Sequence, residues 1–211
     1  MLNNYYNSVK QKTWSLKHIE ERKVNKIVQD LQISDFLARI ICTRDIAIDE
    51  VEDFIEPSLK KNLPSPLLIK DMAIAVERIS KAFINEEKIA IFGDYDVDGA
   101  TSSAVLYKSC KKFGIEPTIY IPDRQKEGYG PNEKALKSLK DKGISLVITV
   151  DCGITAFNEL DYAKKINLDI IVVDHHVPEA KLPYALALVN PNRIDDATNL
   201  GMLAAVGVSF M

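Results

Sequence analysis

The sequence predicts an α/β protein: a parallel β-sheet flanked by helices, preceded by a small helical segment. Three observations carry this. From Lys70 onward, short β-branched apolar runs alternate with amphipathic helical runs. The links between them are too short for any large irregular domain. Three of the apolar runs end in an aspartate, at Asp94, Asp151 and Asp174. Alternation of this kind implies βαβ units, whose strands are parallel and covered on both faces. Ligands of such sheets gather beyond the carboxyl ends of the strands, where these three acids fall.

The elements follow in order. Residues 1–17 are polar with scattered aromatics and read as an arm. Residues 18–69 read as a helical segment with a connector. In it, "IVQDLQISDFLARIICTRDI" and "IAIDEVEDFIEP" place apolar residues three and four apart, and "SLKKNLPSPLLIKD" is broken by Pro64 and Pro66. Residues 70–211 form the α/β domain. "DMAIAVERISKAFINEE" is an amphipathic helix with Asp71 as its N-cap. "KIAIFGD" is a buried strand, and "ATSSAVLYKSCKKFG" a helix stopped by Gly114. Strand "PTIYIPD", helix "NEKALKSLKDKG", strand "SLVITVD", helix "TAFNELDYAKKINL" and strands "LDIIVVD" and "ALALVN" complete the series.

Bulk numbers bound the function. Of 211 residues, 46% are apolar, enough for a real core. A net charge of −3 gives no general attraction to nucleic acid or anionic lipid. A polyanionic substrate would need a local device, such as a basic groove or bound metal ions. Cys42, Cys110 and Cys152 are scattered, odd in number and without a CxxC pair, which suits a reducing compartment and argues against a thiolate zinc site. No signal-type apolar core opens the chain, and no run of eighteen apolar residues crosses a membrane. The expectation is a soluble cytoplasmic protein with no membrane partner.

The chemistry concentrates in three segments. In "GDYDVDG", Asp94, Asp96 and Asp98 stand at alternate positions, which in extended chain point one way. Gly99 then permits a tight turn into the next helix, and Asp98 alone would also serve as that helix's N-cap. The run D-x-D-x-D-G resembles a calcium loop, but the glutamate required six residues after the glycine is Val105, and a strand precedes it instead of a helix. "VITVDCGI" supplies Asp151, with Cys152 beside it as a packed thiol. "VVDHHVPE" supplies Asp174, His175 and His176, the last two being two of the chain's three histidines. Imidazole is a common ligand of transition metals, and Asp174 can either fix a ring tautomer or ligate directly. Several carboxylates with one or two imidazoles suit two divalent ions, Mn2+ or Mg2+. Crowded carboxylates repel unless cations neutralise them. Two-metal sites of this composition hydrolyse phosphate esters. No G-x-G-x-x-G and no P-loop follow the first strand, which argues against a dinucleotide enzyme.

"GDYDVDGATSS", "VDCGI" and "DHHVP" together resemble the motifs of the DHH phosphoesterase family, and further those of its RecJ-like branch of single-strand-specific 5′→3′ DNA exonucleases. "DMAIAVERI", "YIPDRQKEGYGPN", "LPYALALVNPN" and "LARIICTRDIAIDEVEDFIEPSL" extend the likeness over nearly all of residues 30–211. The resemblance implies a Rossmann-like sheet, a nuclease acting in DNA repair and recombination, and specific roles. Asp96 and Asp98, with Asp94 nearby, would be metal ligands, Asp151 would bridge the ions, and His175 would bind metal. His176 would face the scissile phosphate, Asp174 would orient the histidine pair, and Arg124, Lys126 and Tyr129 would approach the nucleic-acid strand. In some relatives a histidine at the position of Phe92 binds one ion; here that ligand is missing. The partners implied are single-stranded DNA, a single-strand-binding protein or helicase, and a separately encoded C-terminal portion. Family members carry a fourth aspartate motif and a second domain downstream. The chain is therefore expected to be an N-terminal portion, truncated inside a helix begun around Gly207 and weak or inactive as a nuclease alone. The alternatives are a DHH enzyme for short oligonucleotides or cyclic dinucleotides, and a catalytically weak scaffold on the same fold.

Overall fold

The computed structural model describes residues 6–7 and 9–211. They form two compact units, divided between Pro64 and Ser65. The expected arm at 1–17 lies partly outside the described residues. Within them, strands β1 (Tyr6–Asn7) and β2 (Thr13–Trp14) pair antiparallel. Helices α1 (Glu21–Leu31), α2 (Asp35–Cys42), α3 (Val51–Ile55) and α4 (Leu59–Asn62) follow. The continuous helical pattern is cut at Gln32, which turns left-handed at φ 54°, after which the Ser34 hydroxyl caps α2 by accepting from Leu37 N. Val24, Ile27, Ala38, Ile41, Cys42 and Val51 form this unit's own core. The connector is also less irregular than its prolines suggest, since α4 forms inside it.

In the second unit, chain order runs α5 (Met72–Ile84), β3 (Ile89–Gly93), α6 (Val97–Lys112), β4 (Thr118–Tyr120) and α7 (Arg124–Glu127). It continues with α8 (Glu133–Asp141), β5 (Leu146–Val150), α9 (Phe157–Lys165), β6 (Asp169–Val173), β7 (Ala187–Val189) and α10 (Ala205–Phe210). The five strands β3–β7 form one sheet in the order β4-β3-β5-β6-β7, every pair parallel. Alternate residues divide between two cores. Ala90, Phe92, Val147, Ile170, Val172 and Leu188 face α8 and α9. Ile89, Ile91, Leu146, Ile148, Val150, Ile171 and Val173 face α5 and α10. Both faces are dry, which is why the strands read as unbroken apolar runs. Among the described residues no helix is long and apolar enough to cross a membrane.

Two local expectations change. Asp71 stands at the N-cap position of α5 but makes no cap bond. Its carboxylate instead accepts from Leu188 N at 3.2 Å and Arg193 Nη1 at 2.6 Å, because a buried guanidinium outcompetes the helix end. Gly99 is not the turn into α6; it lies inside that helix. A Cβ there would sit 2.5 Å from Asp94 O and 2.7 Å from Asp94 C, so the glycine permits close packing of α6 on the end of β3.

The site is placed by topology. From β3 the chain crosses to β4 on one side; from β5 it crosses to β6 on the other. The crevice between β3 and β5 is thus the switch point, where open α/β sheets bind ligands.

Candidate metal centre

Asp94 directly follows β3 at this crevice. It is 4% exposed, and its Oδ1 is buried without a hydrogen-bond partner. Burial, and then the Asp96 charge, push its carboxyl up. The bend after the strand turns Tyr95 outward. Asp96 caps α6, accepting from Gly99 N at 3.0 Å, and that bond holds its carboxyl below the usual range. Asp98 is already in the first helical turn. Strand alternation therefore does not carry all three acids to one side, since the extended chain ends at Asp96. The Asp98 carboxylate accepts from Ala205 N at 2.7 Å and Val206 N at 2.8 Å, the first turn of α10. It remains 3.5 Å from His175 Nε2. The capping expected of Asp98 is done by Asp96 for α6, while Asp98 caps α10.

Asp151 follows β5 on the other wall. It is 2% exposed with φ +60°, a left-handed conformation uncommon for a non-glycine residue. Its Oδ1 is 3.3 Å from His175 Nε2 and 4.0 Å from His176 Nδ1, yet forms no hydrogen bond. Burial, then the charges of Asp98 and Asp96, push its carboxyl up to about 7. Tyr129 braces the same residue: its hydroxyl donates to Asp151 O at 2.8 Å, and its ring stands edge-on to His176, centroids 6.3 Å apart.

Asp174, after β6, is fully buried and saturated with donors. Oδ1 accepts from His175 N at 2.7 Å and His176 N at 3.2 Å, and contacts His176 Nδ1 at 2.7 Å; Oδ2 accepts from Ile154 N at 3.1 Å. Burial opposes its ionisation, but the His176 bond and the backbone donors outweigh it and hold the carboxyl low. The same bond raises the His176 imidazole. Asn190, fully buried after β7, donates from Nδ2 to His176 O at 2.9 Å, and Asn192 Nδ2 donates to His175 O. These two asparagines were not anticipated. The rule that strand-end polar residues face the site, applied to "ALALVN", would have found Asn190.

The donor atoms fall into two overlapping groups, each within 4.8 Å: Asp94, Asp96 and Asp151; and Asp151, His175 and His176. Asp151 is common to both. Two buried carboxylate oxygens without partners, among like charges, would cost several kcal/mol if left so. Divalent cations resolve both, so this donor set fits them, and its oxygen-rich composition with imidazole suits Mn2+ or Mg2+. Phe92 supplies no ligand; it is fully buried and stacked on Tyr120, centroids 5.0 Å apart. Cys152 is a buried free thiol raised by its burial. Arg124 lies over the Tyr95 ring at 4.6 Å. Lys126 pairs with Asp123 at 3.0 Å and is 82% exposed at its side chain.

Comparison with known proteins bears on this site. The model of the DHH family, N-terminal domain, matches residues 88–211. The single-stranded-DNA-specific exonuclease RecJ of Bacillus subtilis (strain 168) is 39% identical over 197 residues, which is 93% of this chain and 25% of that protein. The chain thus spans about a quarter of the length of the curated relatives it matches. A crystal structure of exonuclease RecJ bound to manganese superposes with TM-score 0.62 and 31% identity, over 70% of this chain and 37% of that one. The RecJ of Thermus thermophilus in complex with Mn2+ shares the fold with TM-score 0.71 at 24% identity, over 92% of this chain and 27% of that one.

Proposed function

Since the chain belongs to the DHH family, we propose that it carries the metal-binding part of a phosphodiester hydrolase that degrades single-stranded DNA 5′→3′ in repair and recombination. One observation supports this above others: Asp151, buried and with an unpartnered oxygen, is shared by a group of donors that spans the switch-point crevice to Asp94 and Asp96 and by a second group that it forms with the histidine pair after β6. In the proposal Asp94, Asp96, Asp151 and His175 hold two divalent ions. Bound there, such ions lower the pKa of water and offset charge on a leaving oxygen. They also let a chain of net charge −3 hold a phosphodiester.

The chain's own residues do the positioning. Asp174 fixes His176 through Nδ1, which leaves Nε2 to face the scissile phosphate. Asp98 ties the first motif to α10 while standing beside His175, and in the proposal it completes the donor set. Tyr129 holds the Asp151 backbone in its left-handed conformation, and with Arg124 and Lys126 it borders the path of the strand.

Calorimetric titration with MnCl2 tests the metal assignment: two ions per chain are expected, and Asp151→Asn weakens binding by at least ~100-fold. Absence of manganese binding would overturn it. Single-turnover cleavage of a 5′-labelled long strand against a dinucleotide tests the substrate. Cleavage by this portion alone is expected to be weak, and with the chain in excess it is expected to release the labelled terminal nucleotide of the long strand first; preference for the dinucleotide sinks the exonuclease reading.

A further inference from the structure

Arg124 and Lys126 are neighbours on the same short helix, but their surroundings differ. Lys126 is committed to Asp123 at 3.0 Å. Among the described residues no carboxylate pairs with Arg124, although acids crowd the adjacent crevice. Its guanidinium lies 4.6 Å from the centroid of Tyr95. Tyr95 is the residue between Asp94, which is 4% exposed, and Asp96, which caps α6. The bend that buries the first acid turns the intervening ring outward, leaving it 43% exposed. An aromatic residue is thus mounted on the same three-residue bend as two donors of the metal centre. A guanidinium over a ring face keeps its in-plane N–H donors free, and those donors match the oxygens of a phosphate.

We infer that Tyr95 is a positioning residue: its ring holds Arg124 beside the metal centre, ready to bind a backbone phosphate of the strand. The inference rests on the single-strand reading above and adds to it a residue and a division of labour. Arg124 binds the phosphate. Lys126, held by Asp123, contributes little. Tyr95 touches no substrate and acts through Arg124. The register between that phosphate and the scissile one is set by the short bend 94–96, because ring and metal donors share it.

The test measures initial binding of a fluorescent oligothymidylate, with manganese bound and at several salt concentrations, to the whole chain and to four variants. Manganese titration of each variant checks that the bend is intact. Arg124→Ala is expected to weaken binding roughly threefold to tenfold and to lower the salt slope by about one. Tyr95→Leu should reproduce most of both effects, and Tyr95→Phe, which keeps the ring, should bind with the affinity and salt slope of the unaltered chain. The double variant Arg124→Ala/Tyr95→Leu should be no weaker than Arg124→Ala alone. An unchanged Tyr95→Leu overturns the inference. So does a double variant in which the two losses multiply, since the ring would then contact the strand itself. If the unaltered chain binds manganese but no oligothymidylate, the single-strand reading fails first and the inference with it. Normal binding with an inert Tyr95→Leu fails the inference alone.

Discussion

Asp151 combines three costs in one residue: a left-handed backbone, near-complete burial and an oxygen without a partner. Strain and unpaired charge persist at sites where function needs them, and removing them stabilises the fold. Asn tolerates the same backbone conformation and carries no charge. Metal-free Asp151→Asn is therefore expected to unfold at a higher urea concentration than the unaltered chain at pH 8, while losing its manganese affinity. A lower midpoint would mean that the carboxylate stabilises the empty site. Asp174 shows the opposite balance. It is as buried as Asp151, but four donors hold it ionised, so it belongs to the scaffold of the histidine pair.

At the scale of elements, α6 must lie against the end of β3 for Asp94 and Asp96 to face the crevice. Gly99 makes that approach possible. Elsewhere in a helix, Gly→Ala gains up to about 1 kcal/mol from propensity. Here the new Cβ would meet the Asp94 backbone at 2.5 Å, and backbone cannot give way. Gly99→Ala is expected to destabilise by roughly 2 kcal/mol or more and to weaken manganese binding, as read by denaturation and titration. The amino ends of the central strands are tied by charge. Arg78 of α5 bonds Glu87 at 2.7 Å and Asp169 at 2.6 Å, and the Ser145 hydroxyl donates to Glu87 at 2.5 Å. The Ser145 bond and then Arg78 lower the Glu87 carboxyl, against the effect of its burial. A folded pKa below the unfolded value of 4.5 contributes stability above that pH and loses it as pH falls through the folded value. Melting temperature should thus fall below about pH 4.5 and fall less steeply in Glu87→Gln. Parallel acid limbs in the two proteins would disprove the linkage.

For the molecule as a whole, the second unit closes through contacts far apart in the chain. Arg193, 7% exposed, donates to Asp71 and Leu188 O through Nη1, and to Asp195 through Nε and Nη2. It joins the start of α5 to the last strand of the sheet. Arg193→Ala would leave Asp71 with only the Leu188 N–H and strip the buried Leu188 carbonyl of the guanidinium donor. The expected loss is roughly 2–3 kcal/mol in urea denaturation, less than for a fully buried pair because Asp195 is half solvated. A loss under about 0.5 kcal/mol would mark the cluster as a surface ion pair. Asp98 makes a similar long tie, from the first motif to α10, 107 residues onward.

Period, punctuation and strand-end chemistry are local properties, so whatever depends on them can be read from the residues alone. The parallel sheet, the order of its elements, and the acids and histidines at strand ends were legible in this way, because buried strands and amphipathic helices leave patterns a few residues long. Packing, by contrast, settles how Asp94, Asp96 and Asp98 divide their work, why Gly99 is glycine, and that Asn190 and Asn192 hold the histidine loop. It also settles that Arg124 rests on Tyr95 while Lys126 does not. Each of these depends on the separation of groups distant in the chain. That separation is set by how strands pair and how helices pack on them, a geometry no short stretch of residues encodes.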